Sequence, residues 1–209
     1  MSAELAHDLQ VLVEFTTLAQ RLASIPGWLR EFEGYLLYRL ARDGEGPGEI
    51  VEIGSWMGRS TAWRAAGSKA AGRGQVHAVD TFTGSEEHRG LDVIKEEGTT
   101  YHRFAENLER VELFDHVAPE IADSRVAAAR WPGKPIRLLF IDGDHSYESV
   151  QSDFDLWSRH VVVGGLVAFD DVTPKWPGVL RCFNEVMAVP GAWEPAGGIG
   201  KVKVIRKLK

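Results

Sequence analysis

The residues of this 209-residue chain with the most chemistry in them are acids that stand where short apolar runs end. Asp142 follows Ile-Arg-Leu-Leu-Phe-Ile, Asp170 and Asp171 follow Leu-Val-Ala-Phe, Asp80 ends Gln-Val-His-Ala-Val-Asp, and Glu52 lies near the end of Glu-Ile-Val-Glu-Ile-Gly. If those runs are adjacent strands, Asp142, Asp170 and Asp171 repel one another unless a positive group neutralises them. A hard divalent ion such as Mg2+ does so, taking oxygen ligands and keeping positions open for water or substrate. The competing reading is that Asp144 and one of Asp170 and Asp171 only cap helices and turns. His145 comes three residues after Asp142, at the mouth of the next helix, where Ser146 is a candidate N-cap. An imidazole, with an ordinary pKa of about 6.5, takes a proton near neutral pH.

The second constellation is the stretch Glu52-Ile53-Gly54-Ser55-Trp56-Met57-Gly58-Arg59-Ser60-Thr61, a strand running through a glycine turn into a helix. Glycine there lets the backbone approach a ligand, and the helix N-terminus offers free N–H groups. A phosphate loop needs glycines one residue further apart and lysine where Arg59 stands. A dinucleotide fingerprint needs glycine where Trp56 stands. An S-adenosylmethionine turn fits better: an acid (Glu52), one glycine (Gly54) and small residues (Ser55, Ser60) facing the carboxypropyl amine and ribose, with no pyrophosphate to cradle. A plain strand-to-helix turn is the bland alternative. Asp80 is placed to accept both ribose hydroxyls, which suits any adenosine ligand, and Thr81 and Phe82 continue along the nucleoside.

These residues need a scaffold. Leu5, Leu9, Leu12 and Val13 recur at helical spacing, Ile25-Pro26-Gly27 breaks the pattern, and Leu29, Phe32, Leu36 and Leu40 resume it. A Gly/Pro-rich joint over 42–48 suggests a helical extension over 1–43 and a ligand-binding domain over 44–209. Strands are expected over 49–54, 75–80, 116–122, 136–142 and 166–171. Helices are expected over 59–71, 101–111, 124–131, 147–161 and 179–186, with an imperfect period of two over 201–208. The alternation predicts an α/β, doubly wound, Rossmann-like, mostly parallel sheet with helices on both faces, in which ligands lie beyond the carboxyl ends of the strands. The charged stretch 84–100 reads as a lid or as a solvated excursion, and Trp176 as an acceptor platform or a loop anchor.

The charge sum, 24 Lys+Arg against 30 Asp+Glu, argues against a nucleic-acid partner held by general phosphate neutralisation. Cys182 is the only cysteine, so neither an internal disulfide nor a multi-thiolate zinc site is available. The longest near-apolar stretch, 161–169, is too short to cross a bilayer, and no signal-peptide pattern opens the chain. The expectation is a soluble, cytoplasmic protein without a membrane partner, whose N-terminal helices cover the sheet or form a homodimer contact.

Taken together, Val-Glu-Ile-Gly-Ser-Trp-Met-Gly-Arg-Ser-Thr, Val-Asp-Thr-Phe, Phe-Ile-Asp-Gly-Asp-His-Ser-Tyr-Glu and Gly-Gly-Leu-Val-Ala-Phe-Asp-Asp resemble the class I S-adenosylmethionine-dependent O-methyltransferases. The similar branch includes the Mg-dependent cephalosporin-biosynthesis and macrolide-sugar enzymes, with the catechol enzymes more distant. The resemblance spans 49–171. It implies S-adenosyl-L-methionine as cofactor and Mg2+ or another divalent cation on Asp142, Asp170 and Asp171. It also implies His145 as proton acceptor, and Asp123 and Ser124 beside the adenine. Those relatives tend to carry glutamate where this chain has Asp170. The acceptor implied is a small-molecule hydroxyl, on a saccharide such as a mannoside or a natural-product glycoside, with a catechol-type phenol as the alternative. From other classes, a nicotinamide oxidoreductase shares the fold and Asp80 but leaves three aspartates without a role. A silent nucleoside-binding scaffold keeps Glu52 and Asp80 without needing His145.

Overall fold

The computed structural model describes residues 2–85, 88 and 90–209. Five parallel strands form the body of the sheet: β1 (Glu49–Ile53), β2 (Val76–Asp80), β3 (Val117–Ile121), β4 (Ile136–Ile141) and β5 (Val161–Phe169). β6 (Trp193–Ile199) and β7 (Val202–Lys207) complete it as an antiparallel hairpin, β7 pairing antiparallel with β5. The spatial order is β3-β2-β1-β4-β5-β7-β6, so the chain reverses direction across the sheet between β1 and β4, where a doubly wound sheet opens its ligand crevice.

Successive side chains of a strand point to opposite faces, and the central strands are apolar at nearly every position, so each feeds two cores. Ile50, Leu138, Phe140 and Ala168 join one core with α2 (Glu31–Asp43), α3 (Arg59–Ala71) and α5 (Tyr101–Arg110). Val51, Leu139, Ile141 and Phe169 join the other with α6 (Ser124–Arg130), α7 (Tyr147–Trp157) and α8 (Pro177–Met187). Helices α2 and α3 approach closely through two glycines. A Cβ on Gly34 would stand 2.2 Å from Trp63 Nε1, and one on Gly67 would stand 2.4 Å from the Tyr38 carbonyl oxygen. The helical preface therefore shares a core with the sheet, through Leu22, Ile25, Leu29, Leu37 and Tyr38.

α1 (Ala3–Leu22) packs through Leu18, Ala19 and Leu22, and through Glu14, which accepts hydrogen bonds from Tyr35 Oη (2.7 Å) and Tyr38 Oη (2.8 Å). The periodic residues Leu5, Leu9, Leu12 and Val13 are exposed, and the inward side of the helix is the one that carries Phe15, Leu18 and Leu22 beside Glu14. Three elements differ from expectation. β5 starts at Val161, with Gly164 (φ +81°) absorbed as an irregularity inside the strand. β6 forms despite Pro195, Gly197 and Gly198, which an edge strand tolerates. α4 (Asp92–Glu97) lies within the stretch 84–100, where Glu86, Glu87 and Arg89 fall outside the described residues. Among the described residues no helix is long and apolar enough to cross a membrane.

Candidate active site

The backbone ladder continues one residue beyond the strands and so aligns their tips. Gly54 N donates to Val79 O (3.0 Å), Asp142 N to Ile53 O (2.8 Å) and Asp170 N to Ile141 O (3.0 Å). This places Asp80, Gly54, Asp142 and Asp170 side by side along the carboxyl edge, under a cavity of about 660 Å3. Only glycine suits position 54, where φ is +86° and a Cβ would lie 2.0 Å from the Asp142 carbonyl oxygen. Among the described residues four non-glycines have positive φ, and three of them, Trp56 (49°), Phe82 (56°) and Asp171 (56°), sit just past β1, β2 and β5. Such conformations cost about 1–3 kcal/mol each and persist where surrounding contacts hold them. Here Trp56 N and Phe82 N both donate to the Asp80 carboxylate, and the Trp56 carbonyl accepts from the buried Thr100 hydroxyl (3.2 Å).

Asp80 thus has a second task beside the ribose role expected of it. Its oxygens accept three backbone N–H groups, from Ser55 (2.7 Å), Trp56 (2.8 Å) and Phe82 (2.7 Å), stitching the glycine turn to the end of β2. Burial pushes its carboxyl above the ordinary value against the pull of those donors. Ser55 lines the cavity with a buried Oγ that has no hydrogen-bond partner among the described residues. Thr81 stands at the rim, its Oγ1 3.0 Å from that of Thr83.

Glu52 requires a correction. Sequence reading put it against a ligand, but it is fully buried on the α3 side and does not line the cavity. It accepts from Ser60 Oγ and Thr61 Oγ1 (2.5 Å each) and is paired with the fully buried Arg64, whose guanidinium lies over the Phe140 ring at 4.2 Å. Its role is to fasten the first turns of α3 beneath the glycine turn. Ser60 borders the cavity, with its hydroxyl committed to Glu52. Arg59, which a phosphate loop would aim at a ligand, instead donates to Leu29 O (2.7 Å) and Ile25 O (2.8 Å). It thereby holds the loop between α1 and α2 at the cavity mouth. There Trp28, Trp56 and His88 form an aromatic wall with ring centroids 4.5–5.6 Å apart.

At the other end of the cavity, ligand atoms of Asp142, His145 and Asp171 all lie within 4.8 Å of one another. Asp170 was expected to complete the carboxylate set; His145 completes the close trio instead, and one Asp170 oxygen is held by Lys201 Nζ at 2.8 Å. Lys201 also reaches Asp171 Oδ2 at 3.3 Å, and His145 Nε2 lies 3.1 Å from the same oxygen. The His145 ring stacks on Trp176, centroids 4.1 Å apart and planes 19° from parallel. The buried Oδ1 of Asp170 has no hydrogen-bond partner among the described residues. Burial and the neighbouring Asp170 charge push the Asp142 carboxyl well above the ordinary range. Burial also raises Asp170, against the pull of Lys201. Burial alone would raise Asp171, but the His145 hydrogen bond and the Lys201 charge outweigh it and hold that carboxyl low. When all three carboxyls are ionised, one ammonium leaves an excess of negative charge, and Asp170 Oδ1 is left without a partner among the described residues. That donor set suits a hard divalent cation.

Asp123 and Ser124 open α6 beside the same cavity. Asp123 caps the helix, accepting from Arg125 N (3.0 Å), and Ser124 Oγ donates to Asp153 on α7, a residue sequence reading passed over. Asp153 is 5% exposed, and burial raises its carboxyl from 3.8 to about 6. Between those pH values the unfolded chain has released this proton and the folded one keeps it, so stability falls as pH rises through that window. Asp153→Asn is expected to remove this fall and to be more stable than the parent at pH 7–8, by up to about 3 kcal/mol. Urea midpoints from pH 4 to 8 measure it; identical pH dependence in both proteins would count against it.

A family model described as a methyltransferase domain matches residues 51–172. An uncharacterized protein, R132 of Acanthamoeba polyphaga mimivirus, is 44% identical over 55 residues; the match spans a quarter of this chain and a quarter of that protein. Among solved structures, the O-methyltransferase NovP superposes with a TM-score of 0.72 at 19% identity, over 97% of this chain and 99% of that one. An O-methyltransferase from Bacillus cereus in complex with SAH gives 0.65 at 20%, over 96% and 91%. CalS11, a TDP-rhamnose 3'-O-methyltransferase of calicheamicin biosynthesis, gives 0.62 at 22%, over 99% and 95%. At these identities the likeness to the solved structures is one of fold.

Proposed function

The chain belongs to the methyltransferase-domain family, and from that premise we propose that it transfers the methyl group of S-adenosylmethionine to a hydroxyl oxygen of a small molecule, assisted by a divalent cation. The observation that carries this reading is the convergence of Asp142, His145 and Asp171 within 4.8 Å in the cavity that also receives the Gly54 turn. The acceptor class proposed is a saccharide or a natural-product glycoside, supported by the fold shared with a rhamnose O-methyltransferase and by the wall of Trp28 and Trp56, flat apolar faces of the kind sugar rings lie against.

The donor carries its methyl group on a sulfonium and is already activated, so the protein's work is orientation and exclusion of water. The Gly54–Ser55 turn and Thr81 bind its amino-acid and ribose parts, with Asp80 holding the turn in shape, while Asp123 and Ser124 flank the adenine. Asp142, Asp171 and the second oxygen of Asp170 would hold the divalent cation, which when bound lowers the pKa of the acceptor hydroxyl. His145 takes the hydroxyl proton on its imidazole, with Trp176 and Asp171 fixing the plane of the ring. Trp176 follows the Asp170–Asp171 pair closely enough to fix this base and flank the acceptor at once.

Incubating a panel of hydroxyl compounds with S-adenosylmethionine carrying a trideuterated methyl, followed by mass spectrometry, tests the reading. The expected outcome is one labelled methyl on a glycoside hydroxyl in the presence of Mg2+, and loss of product after exhaustive EDTA treatment. Undiminished product after EDTA would remove the cation from the mechanism. Labelling of amines or thiols in preference to hydroxyls would remove O-transfer.

A further inference from the structure

Lys201 is the one cation whose ammonium touches the strand-tip carboxylates among the described residues, and its backbone is fixed from two sides. Its N–H donates to the buried carboxylate of Glu33 on α2 (3.2 Å), and its carbonyl accepts from Val172 N (3.0 Å), just past the Asp170–Asp171 pair. It stands with Gly200 in the tight turn between β6 and β7, which brings it to the cavity wall, where its side chain is 21% exposed. From there Nζ contacts Asp170 Oδ2 and Asp171 Oδ2, while Asp170 Oδ1 is buried with no hydrogen-bond partner among the described residues.

We propose that Lys201 is a positioning residue, a tethered counter-ion that holds Asp170 and Asp171 in place without a divalent cation and competes with that cation for them. The inference rests on the divalent-cation reading of this site. Two carboxylates this deeply set repel each other, and the ammonium, which touches both, keeps both facing the cavity. A dication on the same oxygens stands against that ammonium as a like charge, so binding must displace Nζ or accept the repulsion. Either way the affinity for the ion is lower than the carboxylates alone would give. Lysine suits this use: a compact charge on a flexible four-carbon stem can retract while its backbone stays anchored, whereas a planar guanidinium locks onto the pair.

The test uses the intact protein without donor or acceptor. Free Mn2+ is followed by electron paramagnetic resonance during titration of the parent, Lys201→Met and Lys201→Arg. In parallel, protein carrying lysine labelled with 13C at Cε is titrated with Mg2+, the Lys201 resonance being assigned by its absence from Lys201→Arg. The expected result is Mn2+ binding at least about tenfold tighter in Lys201→Met than in the parent, with a Lys201 resonance that moves on saturation by Mg2+ while that of the distant Lys69 stays. Unchanged or weaker Mn2+ affinity in a folded Lys201→Met overturns the proposal and leaves the cation site standing, as does a Lys201 resonance unmoved at saturating Mg2+. Should Lys201→Met fail to fold, the resonance in the parent decides alone. If neither the parent nor Lys201→Met takes up Mn2+ at millimolar concentration, the cation site falls together with this inference.

Discussion

Asp142→Asn is expected to lower kcat by about 10^2 to 10^3-fold, the loss that follows removal of one preorganised electrostatic group from an active site, while S-adenosylhomocysteine still binds with little change. The side chain keeps its shape, and the backbone bond from residue 142 to Ile53 O is untouched, so the strand tips stay aligned. What disappears is one of the three negative charges on which the cation reading depends. Its burial and the Asp170 charge make it the carboxylate least content to ionise without a cation. Folding is therefore expected to be unharmed or slightly favoured, which separates loss of chemistry from loss of structure. Turnover with labelled donor and calorimetry with S-adenosylhomocysteine measure the two quantities; turnover equal to the parent's would end the assignment of Asp142 to the chemistry.

The largest stability effect is expected at Glu52. Glu52→Gln keeps the acceptor for Ser60 or Thr61 but removes the charge that faces Arg64, and both ion-pair partners are fully buried. A buried charge left without its partner costs about 3–5 kcal/mol, which in a domain of this size lowers Tm by about 6–20 °C. The guanidinium has nowhere to go: it lies over Phe140 under the sheet, and its nitrogens find no other partner among the described residues. Replacing both residues by methionine, which leaves no charge to strand, is expected to recover much of the loss. Thermal and urea unfolding of the single and double variants measure it; a single variant within 1 kcal/mol of the parent would show that the pair is not what secures α3.

The acids at the strand ends were legible because the runs before them are apolar and helix-patterned stretches follow, so a strand, a turn and a helix mouth could be read together. Gly54 was legible for the same reason, and the structure adds why nothing else fits there, the Asp142 carbonyl lying where a Cβ would go. Glu52 was not, since an acid one residue before a turn can serve a ligand or a helix equally well. Its partners Ser60, Thr61 and Arg64 share a helix face that becomes meaningful only when α3 is docked. Lys201 was hidden for a topological reason: it reaches Asp170 from thirty-one residues further along the chain, by way of a hairpin whose first strand contains Pro195, Gly197 and Gly198. Asp153 carries no signal in the sequence, since its place on α7 gains meaning only from the Ser124 hydroxyl that donates to it. Along α1 the helix was readable from spacing alone, but the buried side was not, since Phe15, Leu18 and Leu22 form a second apolar row, and it is this row, with Glu14 and its tyrosines, that faces the core.

The reversed direction of β7 has a consequence for how the molecule comes into being. Because it runs against β5, its beginning and not its end lies where the parallel strands finish, which is how Lys201 arrives beside Asp171. The Gly54 turn is made early in the order of synthesis, whereas Lys201 lies 147 residues further along the chain. A growing chain can therefore form its glycine turn well before the acidic rim gains the ammonium that partly offsets its charge.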